Sequence, residues 1–126
     1  MDGDTRVTGI IIDAAPAVHS TLGPGLLESA YLACLAQELR ARGLKVETQV
    51  GLPVIYRGIR VDIGYKIDLV VEGTVVVEVK AISRLLPVHE AQLLSYLRLS
   101  DRRVGLLINF HVSRLKDGIK RMVNQC

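Results

Sequence analysis

The sequence predicts an α/β domain of the α+β kind, a four-stranded mixed sheet flanked by helices, and three observations carry that reading. Three runs rich in β-branched residues follow one another between residues 46 and 79, separated only by short turn signals, as hairpin-linked strands are. A helical stretch from Pro87 to about Leu99 then leads to a fourth apolar run at residues 104–110, and a crossover of that length can return the chain parallel to a neighbouring strand. Two more helical stretches precede the strands, so the predicted order is ααβββαβα, with helices covering the sheet faces. At 126 residues, with no internal repeat, low-complexity tract or linker, the whole chain, 1–126, reads as one domain.

Each element has its own signal. Ile10, Ile11, Ala14, Val18 and Leu22 recur at helical spacing, while Pro16 lacks an amide hydrogen and should kink this first helix or end it early. Gly23-Pro24-Gly25 then breaks the chain. Residues 26–42 form the second predicted helix, with Gly43 where a left-handed closing residue belongs. Residues 46–56 end at the turn signal Arg57-Gly58, and residues 61–71 form the next strand, in which Gly64 marks a bend or bulge. Residues 74–79 form the third strand. Pro87 suits the first turn of the crossover helix, and residues 115–123 read as a short closing helix.

Composition narrows the function classes. The balance of 49% hydrophobic and 23% charged residues is globular, and with no Trp and a single Phe there is little material for stacking on bases. A net charge of +3 permits nucleic-acid binding without requiring it. Arg98, Arg102, Arg103, Arg114, Lys116, Lys120 and Arg121 gather in the last third, either as a solvated basic face or as a phosphate-contacting one. Cys34 and Cys126 resemble neither a disulfide framework nor a CxxC metal site, which points to a reducing compartment. No signal-peptide pattern and no apolar run near the ~20 residues of a membrane span is present, so the expectation is a soluble cytoplasmic protein without membrane contact.

Asp68, Glu78 and Lys80 stand inside two strand-like apolar runs, where charge is costly unless something compensates it. Two carboxylates beside a lysine suggest a shared divalent ion. Glu78 and Lys80 are two apart and share a strand face, so a carboxylate can hold a metal while an ammonium meets developing negative charge. Asp68 joins them only in one hairpin register. A two-residue Glu72-Gly73 turn pairs Asp68 with Val77, whereas a three-residue Glu72-Gly73-Thr74 loop pairs it with Glu78. Gly73 suits the shorter turn, while the site needs the longer one. The plain alternative is a salt bridge between Lys80 and one carboxylate at a sheet edge.

Glu28 falls between Leu35 and Leu39 on the apolar stripe of the second helix and is expected to point inward; its simpler reading is a first-turn acid favoured by the helix dipole. His89, Gln92 and Tyr96 share one face of the crossover helix, where Gln92 and Tyr96 could position a water or phosphate oxygen, or merely pack. His19, His89 and His111 lack zinc spacing. The absence of GxGxxG, GxxxxGK[ST] and GxSxG argues against dinucleotide, P-loop and α/β-hydrolase chemistry.

Asp68-x9-Glu78-Val79-Lys80, set in this order of elements, resembles the motif of the PD-(D/E)XK nuclease superfamily. Gly25-Leu26-Leu27-Glu28-Ser29-Ala30-Tyr31 is similar to the signature of the GxxExxY family, a small prokaryotic branch of it. The resemblance continues through Val18-His19, Leu22-Gly23-Pro24-Gly25, Gln92-Leu93-Leu94-Ser95-Tyr96-Leu97 and Gly105-Leu106-Leu107-Ile108-Asn109-Phe110, spanning residues 10–123. It implies a restriction-endonuclease-like αβββαβ core, with Asp68, Glu78 and Glu28 as metal-site positions for Mg²⁺ or Mn²⁺. Lys80 then stands as the motif lysine and Gln92 as the helix glutamine, so Lys80, Glu28, Gln92 and Tyr96 form the expected catalytic set. The implied reaction is phosphodiester hydrolysis in nucleic acid, DNA ahead of RNA. Because one such small unit cannot surround a duplex, a homodimer is a further expectation. The competing reading is a catalytically inactive nuclease-fold module that binds nucleic acid or protein.

Overall fold

The computed structural model describes residues 3–125; Cys126, named above with Cys34, lies outside them. The elements run α1 (Gly3–Leu22), α2 (Glu28–Ala41), β1 (Val46–Tyr56), β2 (Ile59–Val71), β3 (Val75–Lys80), α3 (Pro87–Leu99), β4 (Val104–Asn109), a 3₁₀ turn (Leu115–Gly118) and β5 (Ile119–Val123). The strands form one mixed sheet in the order β1-β2-β3-β4-β5. Only β3 and β4 are parallel, and the crossover joining them is α3. No helix among the described residues is long and apolar enough to cross a membrane.

Two expectations need correction. The sheet has five strands, not four, because residues 115–123 form a 3₁₀ turn and a strand instead of a closing helix. At Gly118 an added Cβ would collide with the Asn109 carbonyl, so only glycine lets the chain double back there; Ile119–Val123 then pairs antiparallel with β4 and covers an edge that would otherwise be open. The first helix also does not end early. It runs through Pro16, which sits on the exposed side, while Val7, Ile11, Ala14, Ala15 and Val18 bury a stripe whose packing offsets the missing hydrogen bond.

Helix ends follow local chemistry. At the end of α2 the Gly43 N–H donates to Arg40 O and the Leu44 N–H to Leu39 O, with Gly43 left-handed at φ 87°, which satisfies the last carbonyls in the pattern glycine favours. Asp101 does the same after α3 at φ 54°. Gly64, at φ 94°, lies where the β1–β2 register jumps between Leu52↔Tyr65 and Val54↔Val61, the bulge its position signals.

The core is divided by the sheet. On one face α1 and α2 bury Ile11, Leu35 and Leu39 against Val75, Val77, Val79, Leu106 and Ile108. On the other, α3 packs Leu93, Tyr96 and Leu97 against Leu52, Ile67, Val70, Val76 and Leu107. Only residues 69–71 of β2 pair with β3, so the outer parts of β1 and β2 continue past the sheet as a two-stranded arm with Ile55, Tyr56, Ile59 and Ile63 exposed.

Candidate active site

The site forms where β2 parts from β3. Leu69↔Val77, Val70↔Val76 and Val71↔Val75 fix the register, so the loop is Glu72-Gly73-Thr74, with Glu72 and Gly73 both left-handed at φ 54° and 70°. That is the three-residue loop the site requires, and it sets Asp68 opposite Glu78. Beyond Leu69 the backbone ladder to β3 stops and side chains take its place. The Asp68 N–H donates to Glu78 Oε2 and the Val79 N–H to Asp68 Oδ2, each at 2.8 Å. Each carboxylate thus keeps its second oxygen, Asp68 Oδ1 and Glu78 Oε1, outside any hydrogen bond among the described residues.

These carboxylates share a strained electrostatic setting. Glu78 is 4% exposed, and its burial, with the charge of Asp68 beside it, pushes its pKa from 4.5 up to about 8, against the opposing Asp68 N–H and Lys80. Burial likewise raises Asp68, while the Val79 N–H and Lys80 pull it down. Lys80 forms no ion pair within 4 Å with either acid; those among the described residues lie elsewhere, such as Arg42–Glu38 and Lys120–Glu90. The simple salt-bridge reading is therefore not what the fold builds. Instead Lys80 Nζ donates to Gln92 Oε1 at 3.3 Å, tying the strand end to α3.

Glu28 is the first helical residue of α2 and, taken as a whole residue, is exposed, so it lies less deep than its stripe suggests. The stripe direction is right, and the carboxyl itself is partly covered at the rim of the site. From that rim Glu28 still feels the site: burial of its carboxyl raises its pKa, Lys80 lowers it, Asp68 raises it and His89 lowers it. Its position is held by Tyr31. The Tyr31 hydroxyl donates to Gly23 O and accepts from the Leu26 N–H at 3.1 Å, and its ring stacks on Phe110 at 4.7 Å. Gly25, at φ 105°, allows the loop to turn into the helix. Sequence reasoning quoted Tyr31 only as part of a signature; its role is to anchor the loop that carries Glu28.

From α3, Gln92 is half-buried and Tyr96 is 6% exposed. Burial, and then the charge of Glu78, push the Tyr96 phenol above its usual range, so it stays protonated. His89 accepts from the Leu86 N–H at Nδ1, 2.9 Å, which caps the helix. Tyr65, which the sequence did not single out, meets Tyr96 with ring centroids 6.0 Å apart. Within the basic last third, Arg102 turns away from the site: it donates to Gly73 O, at the opposite end of β3 from Lys80.

Among the described residues no three His, Cys, Asp or Glu side chains lie close enough to form a ready metal cage. Two of the oxygens that would complete one are turned onto the Asp68 and Val79 amides. The donor chemistry nevertheless fits a hard divalent cation: carboxylates repel one another in a partly dry site, each offers a free oxygen, and Lys80 is bound to Gln92 instead of neutralising them. A cavity of about 500 Å³ lined by Pro24, Ser83, His111 and Arg114 contains none of these residues.

A family model described as PD-(D/E)XK nuclease superfamily matches residues 5–122. No curated protein and no solved structure matches the chain. The chain belongs to the PD-(D/E)XK nuclease superfamily.

Proposed function

We propose that the protein is a Mg²⁺- or Mn²⁺-dependent nuclease that hydrolyses phosphodiester bonds, in DNA ahead of RNA, at the opening between β2 and β3. The observation that carries this reading is the pair of carboxylates that cap the parted strands while Glu78 is held near pKa 8. Asp68 and Glu78 would hold the cation through their free oxygens, with Glu28 contributing from the rim directly or through water. A divalent cation bound there supplies Lewis-acid chemistry, polarising the phosphoryl group and lowering the pKa of a water.

The protein groups do the rest. Gln92 Oε1 fixes the Lys80 ammonium, which is aimed at negative charge developing on the phosphoryl oxygens or at the attacking water. The Gln92 amide N–H groups and the Tyr96 hydroxyl remain as donors to the same oxygens. Exposed Glu28 sits where a substrate strand must pass, so its carboxylate orients water at the entrance.

The test is cleavage of supercoiled plasmid and of circular single-stranded DNA in Mn²⁺, with EDTA as control. Wild-type protein should nick or degrade at least one substrate, and Glu78→Ala and Lys80→Ala should not. Identical traces from wild type and both variants would overturn the proposal.

A further inference from the structure

A groove of about 380 Å³ lies between Tyr65, at the root of the arm, and the outer side of α3, where Val88, Gln92, Ser95, Tyr96 and Leu99 line it. No charged side chain lines it. Two of the chain's four tyrosines form its corner, their rings tilted by 54° rather than stacked, and Tyr65 is 44% exposed. Val88 and Leu99 are exposed as well. We infer that this groove holds one unpaired nucleobase adjoining the phosphate to be cut, so that the substrate is a single strand, flap or end and not uninterrupted duplex; the inference rests on the nuclease reading above.

Three features select this occupant. The walls are aromatic and aliphatic, with the Gln92 amide and Ser95 hydroxyl at the edge, the surface on which a base stacks while its polar edge finds partners. Gln92 is shared, because its Oε1 accepts from Lys80 while its side chain lines the groove, so a base bound here belongs to a nucleotide at the scissile phosphate or next to it. The groove is also concave and of small-molecule size, whereas a stable protein interface needs roughly 800 Å² from each partner. A base can enter only after leaving its stack, which costs least where it is already unpaired. Composition alone argued against aromatic platforms; the fold builds a small one from Tyr65 and Tyr96. An unpaired strand also needs no second subunit to surround it, which removes the size argument for a homodimer.

The test is fluorescence anisotropy in EDTA, where no cleavage intervenes, using a labelled single-stranded oligonucleotide, its duplex, and single-strand versions with one abasic site moved along the chain. Wild type should bind the single strand more tightly than the duplex. Tyr65→Ala should weaken single-strand binding about tenfold or more and leave duplex binding unchanged, and Tyr65→Phe should keep it. Val88→Trp, at an exposed helix position that fills the groove, should reproduce the loss. One abasic position should cost wild type the same factor and cost Tyr65→Ala nothing further. A flat abasic scan, duplex binding as tight as single-strand binding, no measurable binding, or a dimer in light scattering that Tyr65→Ala dissolves would overturn the inference. The parallel Mn²⁺ cleavage assay separates the two readings. Cleavage with a flat scan removes only the base site, and a positive scan without cleavage of any substrate removes only the nuclease activity.

Discussion

Val75, Val77 and Val79 of β3 point into the core under α1 and α2, while Val76, Glu78 and Lys80, the alternate residues of the same strand, face α3. The first face is apolar along its whole length and ends in the Tyr31–Phe110 stack. The second is apolar only at its base, around Val76, Leu93, Leu97 and Leu107, and turns polar where β2 departs. The difference teaches how a domain of this size can hold buried charge. One face supplies the cohesion that the other gives up, so stability and chemistry should respond to different substitutions.

The largest effect is expected on the polar face. Glu78→Ala or Lys80→Ala should lower metal-dependent cleavage by ~10³-fold or more, with thermal unfolding still cooperative. A loss of both activity and cooperative unfolding would mean that the polar face also holds the fold. On the apolar face Leu35→Ala should cost about 3 kcal/mol in urea denaturation, with activity per folded molecule retained.

Next in size is a pH effect confined to the polar face. Burial and the Asp68 charge raise Glu78 from 4.5 to about 8, so the folded state binds a proton that the unfolded state releases at lower pH. Its contribution to stability is complete below pH 4.5 and is lost as pH rises through about 8. Metal-free Glu78→Gln should therefore gain on wild type across that window, by several kcal/mol at pH 9, and a gap that stays constant with pH would contradict the assignment. The smallest effect crosses the two faces. Tyr31→Phe removes the hydroxyl that holds Gly23 O and the Leu26 N–H, and should cost about 1 kcal/mol of stability with a few-fold drop in cleavage as Glu28 loosens.

The sequence was most legible where local chemistry decides the outcome. The bounds of β1 and α3 coincide with their signals, since Arg57-Gly58 and Pro87 act on the backbone directly. It was silent where distant contacts decide. Ile119–Val123 becomes a strand because β4 offers an edge. The Glu72-Gly73-Thr74 loop fits two registers by composition, and only strand pairing selects the one that brings Asp68 to Glu78. Periodicity gave the direction of Glu28 but not its depth, which depends on where the sheet ends. Tyr65 carried no motif at all, and its contact with Tyr96 joins β2 to α3, elements distant in sequence.

The central claim, that the opening between β2 and β3 is a divalent-cation site, is tested most directly by calorimetric titration of Mn²⁺ into wild type and Asp68→Asn at pH 6 and pH 9. Wild type should bind with an affinity that rises with pH, because the cation displaces the proton that Glu78 keeps below about pH 8, and Asp68→Asn should bind far more weakly at both values. Equal isotherms for the two proteins, or wild-type affinity that does not change with pH, would contradict the account.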